Sequence, residues 1–315
     1  MSLPRLLTAA GLAAVALAIL AWPSDAMAWG PLAHLSFSAQ ALANTGPLPS
    51  ALRDLLGEYG NEFLYGSLAA DIVVGKNLAR FVHHCHNWKV GFRVLDEARP
   101  GPEKAFGWGF LAHLAADTVA HNYYVPWKTV SSFHKARTRH AYWELRYDQR
   151  LDPALSQLAR QVATSATRYH DHFLRRTLRR ASVLPFPLSR QLFGSLVASA
   201  KVRRFQHVSR LALARERRLP LEADLVEETN DLAVLAILGL LLEGRHCEAA
   251  SADATGERNL FVAEKLRRQL RAQVRAGRLS ATEAHQLVGE SRDAFRRAIH
   301  GTLVLPPRAA RLAAA

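Results

Sequence analysis

Cysteine is scarce in this chain, with Cys85 and Cys247 the only two among 315 residues. The sequence therefore allows one disulfide at most, which excludes a scaffold held together by several disulfides. Three alternatives stay open for the pair. They are a single disulfide, two free thiols, or a metal-ligand role for Cys85, which lies in the run His83-His84-Cys85-His86.

Long apolar runs are absent after residue 28, and the longest, 232–242, has the length of a buried helix rather than of a membrane span. Residues 1–28 differ, because a short basic start is followed by an apolar stretch and then by Ala26-Met27-Ala28. This order is typical of a secretory signal peptide with its cleavage site. We therefore expect an exported protein, periplasmic or secreted, with an uncleaved membrane anchor as the alternative.

Acidic residues are the minority charge, with 27 Asp and Glu against 41 Lys and Arg, and the formal net charge is +14. The predicted leader holds one charge of each sign, so its removal leaves this value unchanged. Such a surplus favours anionic partners, whether phospholipid headgroups, nucleic acid or acidic envelope polymers. Charge alone does not choose among them, and a solvated helix face is the simpler interpretation of each arginine-rich stretch.

Few segments alternate as strands do, and helical periodicity dominates, which predicts an all-α fold. The predicted helices cover residues 31–44, 49–58, 76–98, 103–124, 132–149, 153–180, 187–216, 221–243, 257–275 and 280–300. A run of small residues at 249–256 suggests a linker. We therefore divide the chain into a signal peptide (1–28), a main domain (29–250) and a basic helical extension of unknown role (251–315).

Histidine is concentrated in the N-terminal half, where eight of the 14 lie between positions 34 and 140. His113, Asp117 and His121 are spaced four apart, so a continuous helix would place them in one stripe, and His140 and Glu144 repeat the spacing. Zinc accepts both ligand types, and unpaired Asp and His would be costly to bury in this apolar segment. The pattern predicts a metal site. The alternative is a set of polar residues on solvated helix faces.

Cleavage after residue 28 would make Trp29 the first residue, with His34 five positions further on. A free α-amine and the carbonyl oxygen of the same residue can chelate a metal when an imidazole lies nearby. The alternative is that Trp29 is a packing anchor and that His34 faces solvent.

Taken together, these residues resemble the zinc-dependent phospholipase C family, whose relatives include the zinc-dependent single-strand nucleases. The resemblance covers residues 29–149 and implies a multi-helix bundle that binds up to three zinc ions, two of which share Asp117. The ligands that it implies are Trp29, His34, Asp71, His86, His113, Asp117, His121, His140 and Glu144.

Two features depart from the family pattern. The histidine that follows His-x-x-x-Asp in the family comes two residues later than His121, at a position that Tyr123 occupies here. His83, His84 and His86 also compete for one ligand position. We favour His86, which precedes an aromatic residue by two positions as in the family, and rank His84 second.

The resemblance implies an exported zinc-dependent phosphodiesterase that hydrolyses phospholipids by means of a metal-activated water, with Asp71 as the catalytic proton acceptor as well as a ligand. A bound zinc ion lowers the pKa of water towards about 7 and neutralises charge on the phosphate. A single-strand nuclease of the same architecture is the first alternative, and both the spacing of Trp29 and His34 and the basic charge favour it. A non-catalytic basic protein that binds membrane surfaces is the second. The preferred headgroup and the oligomeric state are not predicted.

Overall fold

A computed structural model describes residues 29–72, 86–135, 140–165, 167–177 and 221–314. Every regular element in these ranges is a helix, which confirms the predicted all-α fold. The α-helices are α1 (Pro31–Ala43), α2 (Ser50–Glu58), α3 (Gly60–Ala69), α4 (Trp88–Glu97), α5 (Pro102–Val119), α6 (Val125–Ser131), α7 (His140–Asp148), α8 (Leu155–Ser165), α9 (Thr167–Thr177), α10 (Ala223–Glu243), α11 (Glu257–Arg275), α12 (Ala281–Arg297) and α13 (Pro307–Ala314). Short 3-10 turns lie at Ala70–Ile72, Gly244–His246, Glu248–Ser251 and Ala298–His300, and a π-helical turn lies at Ala120–Tyr124.

Helix α5 is the centre of the bundle, and α3, α4 and α10 pack around it. It is apolar on almost every side, which is the pattern of a helix surrounded by others. Two glycines let α3 and α5 approach closely. A Cβ at Gly66 would overlap the carbonyl oxygen of Phe106, and one at Gly109 would overlap that of Phe63. This close approach brings the end of α3 next to the polar residues of α5.

The π-helical turn interrupts what the sequence predicts as one helix over 103–124. Proline has no N–H, so Pro126 cannot donate to the carbonyl four residues before it. The amide of Val125 donates instead to the carbonyl of Ala120, five residues back. A π-helical turn changes the direction of the side chains that follow it. The prediction of one regular α-helical stripe through His121 is therefore wrong.

The other predicted helices agree with the structure to different extents. Those at 31–44, 49–58, 221–243, 257–275 and 280–300 are confirmed to within a few residues. Residues 132–135 form a turn rather than a helix. The described residues of the predicted helix 153–180 include the helices α8 and α9, and α3 and α13 were not predicted. The predicted helix 187–216 and the first part of the one at 76–98 lie outside the described residues.

Helix α3 escaped prediction because its sequence, GNEFLYGSLA, contains two glycines and two aromatic residues, which are weak helix formers. Packing stabilises it instead, since its residues from Phe63 to Ala69 are all buried. Tertiary contact here outweighs local preference.

Helices α11 and α12 pack against α6 and the π-helical turn. Arg292 of α12 donates from Nε to the hydroxyl of Tyr123 (2.9 Å) and pairs with Glu228 of α10 (2.7 Å). The division at residue 250 stays a prediction, and the helices after it contact the main domain closely. None of the helices in the described ranges is long and apolar enough to cross a membrane.

Candidate metal centre

His113 and Asp117 lie one turn apart on α5, and both are completely buried. His113 donates from Nδ1 to the carbonyl oxygen of Ser67 (2.8 Å), because a carbonyl can only accept. Its Nε2 then carries the lone pair and lies 3.3 Å from Oδ2 of Asp117. The hydrogen bond from Nδ1 to the carbonyl of Ser67 fixes the tautomer and the ring orientation, as such bonds do for metal-binding histidines.

His34 reaches the same carboxylate from α1. Its Nε2 lies 3.3 Å from Oδ1 of Asp117, and its ring stacks on that of His113 with centroids 3.7 Å apart. The side chain is buried. The alternative in which His34 faces solvent is therefore wrong.

Asp71 and His86 close the cluster from the other side. Asp71 lies in the 3-10 turn that follows α3, and His86 comes just before α4. The Nε2 atom of His86 lies 3.3 Å from Oδ1 of Asp71, 3.4 Å from Oδ2 of Asp117 and 3.0 Å from Nε2 of His113. Asn87 caps α4 by accepting from the amide of Lys89 (2.8 Å), which fixes the backbone beside His86.

The spacing of these donor atoms fits a zinc ion. Bonds of about 2.0–2.1 Å in tetrahedral geometry place neighbouring ligand atoms about 3.3 Å apart. Among the residues that the structure describes, two groups of three side chains have ligand atoms within 4.8 Å of one another, namely His34, Asp71 and His113, and His86, His113 and Asp117.

Asp117 also has unsatisfied polar atoms. Neither of its carboxylate oxygens makes a hydrogen bond of good geometry with any described residue, and the same holds for both ring nitrogens of His34. A buried carboxylate without such bonds is costly unless a cation compensates it. The donor set therefore fits a divalent cation.

The ionisation of the two residues agrees with this fit. Burial would raise the pKa of Asp117, but the neighbouring imidazoles of His113 and His34 bring it well below its ordinary value. Burial and the neighbouring His113 lower the pKa of His34. An ionised carboxylate and a neutral imidazole are the forms that bind metals.

A second pair lies beyond the π-helical turn. Nε2 of His121 is 3.9 Å from Oε1 of Glu144 on α7, and both side chains are buried. His121 donates from Nδ1 to the carbonyl oxygen of Ala254 (2.6 Å), so its Nε2 carries the lone pair in the neutral ring. His140 is the first residue of α7, and its side chain lies outside the described part of the structure.

A protein-family model described as zinc dependent phospholipase C matches residues 33–182. These residues are similar to the zinc-dependent phospholipase C family. No curated protein and no solved structure matched the chain. The match includes every candidate ligand except Trp29, and it ends well before the loop that contains Ala254.

Trp29 lies just before the residues that the family model matches, and it is a packing anchor. Its ring stacks on Tyr124 with centroids 4.8 Å apart and also contacts Phe37 and Tyr147. Its indole donates to the carbonyl of Ala116, the residue before Asp117 (3.3 Å). A role for its amine as a ligand stays a prediction.

The choice between His86 and His84 stays a prediction as well. His86 lies in the cluster, whereas His83, His84 and Cys85 lie outside the described residues. Cys247 is buried. The alternatives for the cysteine pair therefore remain open.

Sequence reasoning missed the groups that orient the candidate ligands. Ser67 and Ala254 act through backbone carbonyls, which any residue type offers, so no motif points to them. Asp148 was also missed. It lies one turn after Glu144, where burial raises its pKa to about 8.

Proposed function

We propose that the protein is an exported zinc-dependent phosphodiesterase that hydrolyses phospholipids. The observation that carries this proposal is the convergence of His34, His86 and His113 on the buried carboxylate of Asp117, at the distances that one or two divalent ions need. Similarity to the zinc-dependent phospholipase C family supports a phospholipid as the substrate.

Each residue of the site has a role in this proposal. Zinc, when bound, lowers the pKa of a water molecule and neutralises negative charge on a phosphodiester. Asp117 holds the imidazoles together and is closed to solvent, whereas the side chain of Asp71 is 19% exposed. Asp71 is therefore the carboxylate that can meet both water and substrate, and we assign it the proton from the attacking water.

The full proposed ligand set comprises three groups. We assign Asp71, His86, His113 and Asp117 to one ion, His121, His140 and Glu144 to a second, and Trp29, His34 and Asp117 to a third. The third group requires cleavage after residue 28, which would also release the protein from its leader.

The test is hydrolysis by the purified protein and by Asp71→Asn. Wild-type protein should contain about three zinc equivalents and release phosphocholine from phosphatidylcholine vesicles, and a chelator should abolish release. Removing a general base lowers the rate by about 10²–10⁴-fold, so Asp71→Asn should hydrolyse the lipid at least about 100-fold more slowly. Asp96→Asn, which changes an exposed carboxylate paired with Arg245, is the control and should be unchanged.

Full hydrolysis and full metal content in Asp71→Asn would refute the assigned proton acceptor. One zinc equivalent or fewer in the wild type, with no hydrolysis, would point to the non-catalytic alternative.

A single-strand nuclease is the second candidate, favoured by the five-residue spacing of Trp29 and His34 and by the net charge of +14. The same preparation decides between the two, because nucleotide release from single-stranded DNA without phosphocholine release would favour the nuclease.

An anionic membrane surface is a further proposed partner. On α11, Phe261 is 62% exposed and lies in one helical stripe with Arg258, Lys265 and Arg268. An apolar ring among basic side chains suits the boundary between headgroups and acyl chains. Vesicle binding that is sensitive to salt but survives chelation, in a protein without hydrolysis, would support a surface-binding protein instead of an enzyme.

A further inference from the structure

The loop between the 3-10 turn Glu248–Ser251 and α11 faces the candidate metal centre with three successive carbonyl oxygens. Each accepts a hydrogen bond from a side chain in or beside the site. The pairs, donor first, are Trp88 Nε1 to Ala252 (2.9 Å), Asn122 Nδ2 to Asp253 (2.9 Å) and His121 Nδ1 to Ala254 (2.6 Å). One short stretch of backbone thus contacts both the segment after His86 and the π-helical turn.

The shape of this loop is fixed by its own side chains. The carboxylate of Asp253 accepts from the amide of Thr255 (3.1 Å) and from its hydroxyl (2.6 Å), which closes a local turn. Asn259, in the first turn of α11, donates from Nδ2 to Oδ1 of Asn122 (2.7 Å). The loop is therefore held at both ends against the π-helical turn.

Gly256 permits the closest approach. Its φ of 55° lies in the left-handed region, and a Cβ there would overlap the carbonyl oxygen of His121 and come within 2.6 Å of its carbonyl carbon. Any larger residue would push the π-helical turn away from the loop.

These contacts determine which nitrogen of His121 is available. A carbonyl oxygen only accepts, so Nδ1 of His121 carries the proton and the neutral ring has its lone pair on Nε2. That atom is the one 3.9 Å from Oε1 of Glu144. We propose that residues 252–259 are a positioning element for His121, and that the His121–Glu144 part of the site is complete only with this segment.

The inference deepens the proposed function, and its test by zinc affinity rests on that function. The family match ends at residue 182. The positioning element therefore belongs to the part of the chain that the match does not cover, and it gives residues 252–259 a role in the chemistry rather than in stability alone.

The test compares Gly256→Ala with Gly277→Ala. Gly277 has a similar φ of 69°, but a Cβ there would meet no described atom within 4 Å. Both variants should suffer similar backbone strain from the positive φ, and Gly256→Ala should lose additional stability in the metal-free protein because its Cβ overlaps the backbone of His121. Changes in groups that orient metal ligands weaken metal affinity about 10- to 100-fold. We expect that loss for one zinc ion in Gly256→Ala, and a change below about twofold in Gly277→Ala.

Two further variants keep the test decisive if Gly256→Ala folds poorly. Asn259→Ala removes only the bond to Asn122 and should weaken the same ion by a smaller factor. In a His121→Ala background, neither Gly256→Ala nor Asn259→Ala should lower zinc affinity further, because residues that act through one ligand are not additive.

The tautomer of His121 is read independently, from the imidazole nitrogen shifts of the metal-free protein by NMR. The proton should lie on Nδ1 in the wild type, and that preference should be lost in Gly256→Ala. Equal zinc affinity in Gly256→Ala and Gly277→Ala, or an unchanged tautomer, would overturn the inference. If the wild type binds no zinc, the proposed function fails, while the tautomer measurement still decides whether the loop positions His121.

Discussion

The two halves of the candidate metal centre are built differently. In the first, the imidazoles of His34, His86 and His113 lie 3.3–3.4 Å from the carboxylate of Asp117. Asp71 joins them through His86, and all five residues lie within 34–117. In the second, His121 and Glu144 are 3.9 Å apart, and the tautomer of the histidine depends on a loop more than 100 residues later in the chain. The first half is formed by helices that pack against one another, whereas the second is supported from outside the family match.

The difference shows how tightly each half is constrained. His34 and His113 are held by stacking and by the shared carboxylate, so moving one disturbs the other. His121 lies in a π-helical turn, and such turns occur often at functional sites because they redirect single side chains. We therefore expect a change in any ligand of the first half to weaken zinc binding throughout that half. In the second half, zinc binding should depend on the loop of residues 252–259.

The largest effect that we expect is from Asp117→Asn. It replaces the carboxylate that faces three imidazoles. Changing a group that only orients a metal ligand lowers activity by up to about 100-fold, and the loss in Asp117→Asn should be larger than that. Zinc content, measured by metal analysis, should fall in the first half while the ion at His121 and Glu144 is retained. Loss of every ion at once would show that the two halves are not separable.

A smaller and mainly structural effect is expected from Gly66→Ala. The new Cβ would overlap the carbonyl oxygen of Phe106 and force α3 away from α5. Overpacking of this kind costs about 1–3 kcal/mol, which chemical denaturation can measure. Gly57→Ala on α2 is the control, because a Cβ there meets no described atom within 4 Å and should stabilise the helix by about 0.5–1 kcal/mol.

Gly66→Ala also sharpens the comparison between the halves. Ser67 and Asp71 follow Gly66 along the chain, so zinc affinity should fall in the first half and stay unchanged at His121 and Glu144. An equal loss at both would contradict the separation.

The smallest effect concerns His170, a buried histidine outside both halves. It stacks on Phe106 with centroids 5.0 Å apart, and burial lowers its pKa from 6.5 to about 4. The unfolded chain takes up a proton below about pH 6.5 and the folded chain does not. Stability is therefore full above that pH and falls as the pH drops towards 4.

His170→Phe should keep the stacking on Phe106 and should lose less folding stability than the wild type when the pH falls below about 6.5. Urea denaturation at pH 7.5 and at pH 5 measures it, and the difference in unfolding free energy between the two pH values should be smaller in the variant. An unchanged difference would show that other groups account for the acid sensitivity.

The sequence alone predicted the fold class and the residues that meet around Asp117. Helical periodicity is local, so α1, α10 and α11 could be predicted from nearby residues. The ligands could be named because imidazoles and carboxylates in an apolar helix need compensation, and their order matched a known family. His34, Asp71, His86, His113 and Asp117 are brought together by the fold, as that reasoning expected.

Tertiary structure alone decided how these side chains are oriented. The departure of His121 from the predicted stripe depends on a π-helical turn, and helix α3 forms because its neighbours bury it. The carbonyls of Ser67 and Ala254 carry no signature in the sequence, since every residue has one. Only folding brings a particular carbonyl to a particular imidazole, because hydrogen bonds between distant backbone and side-chain atoms depend on packing rather than on residue type.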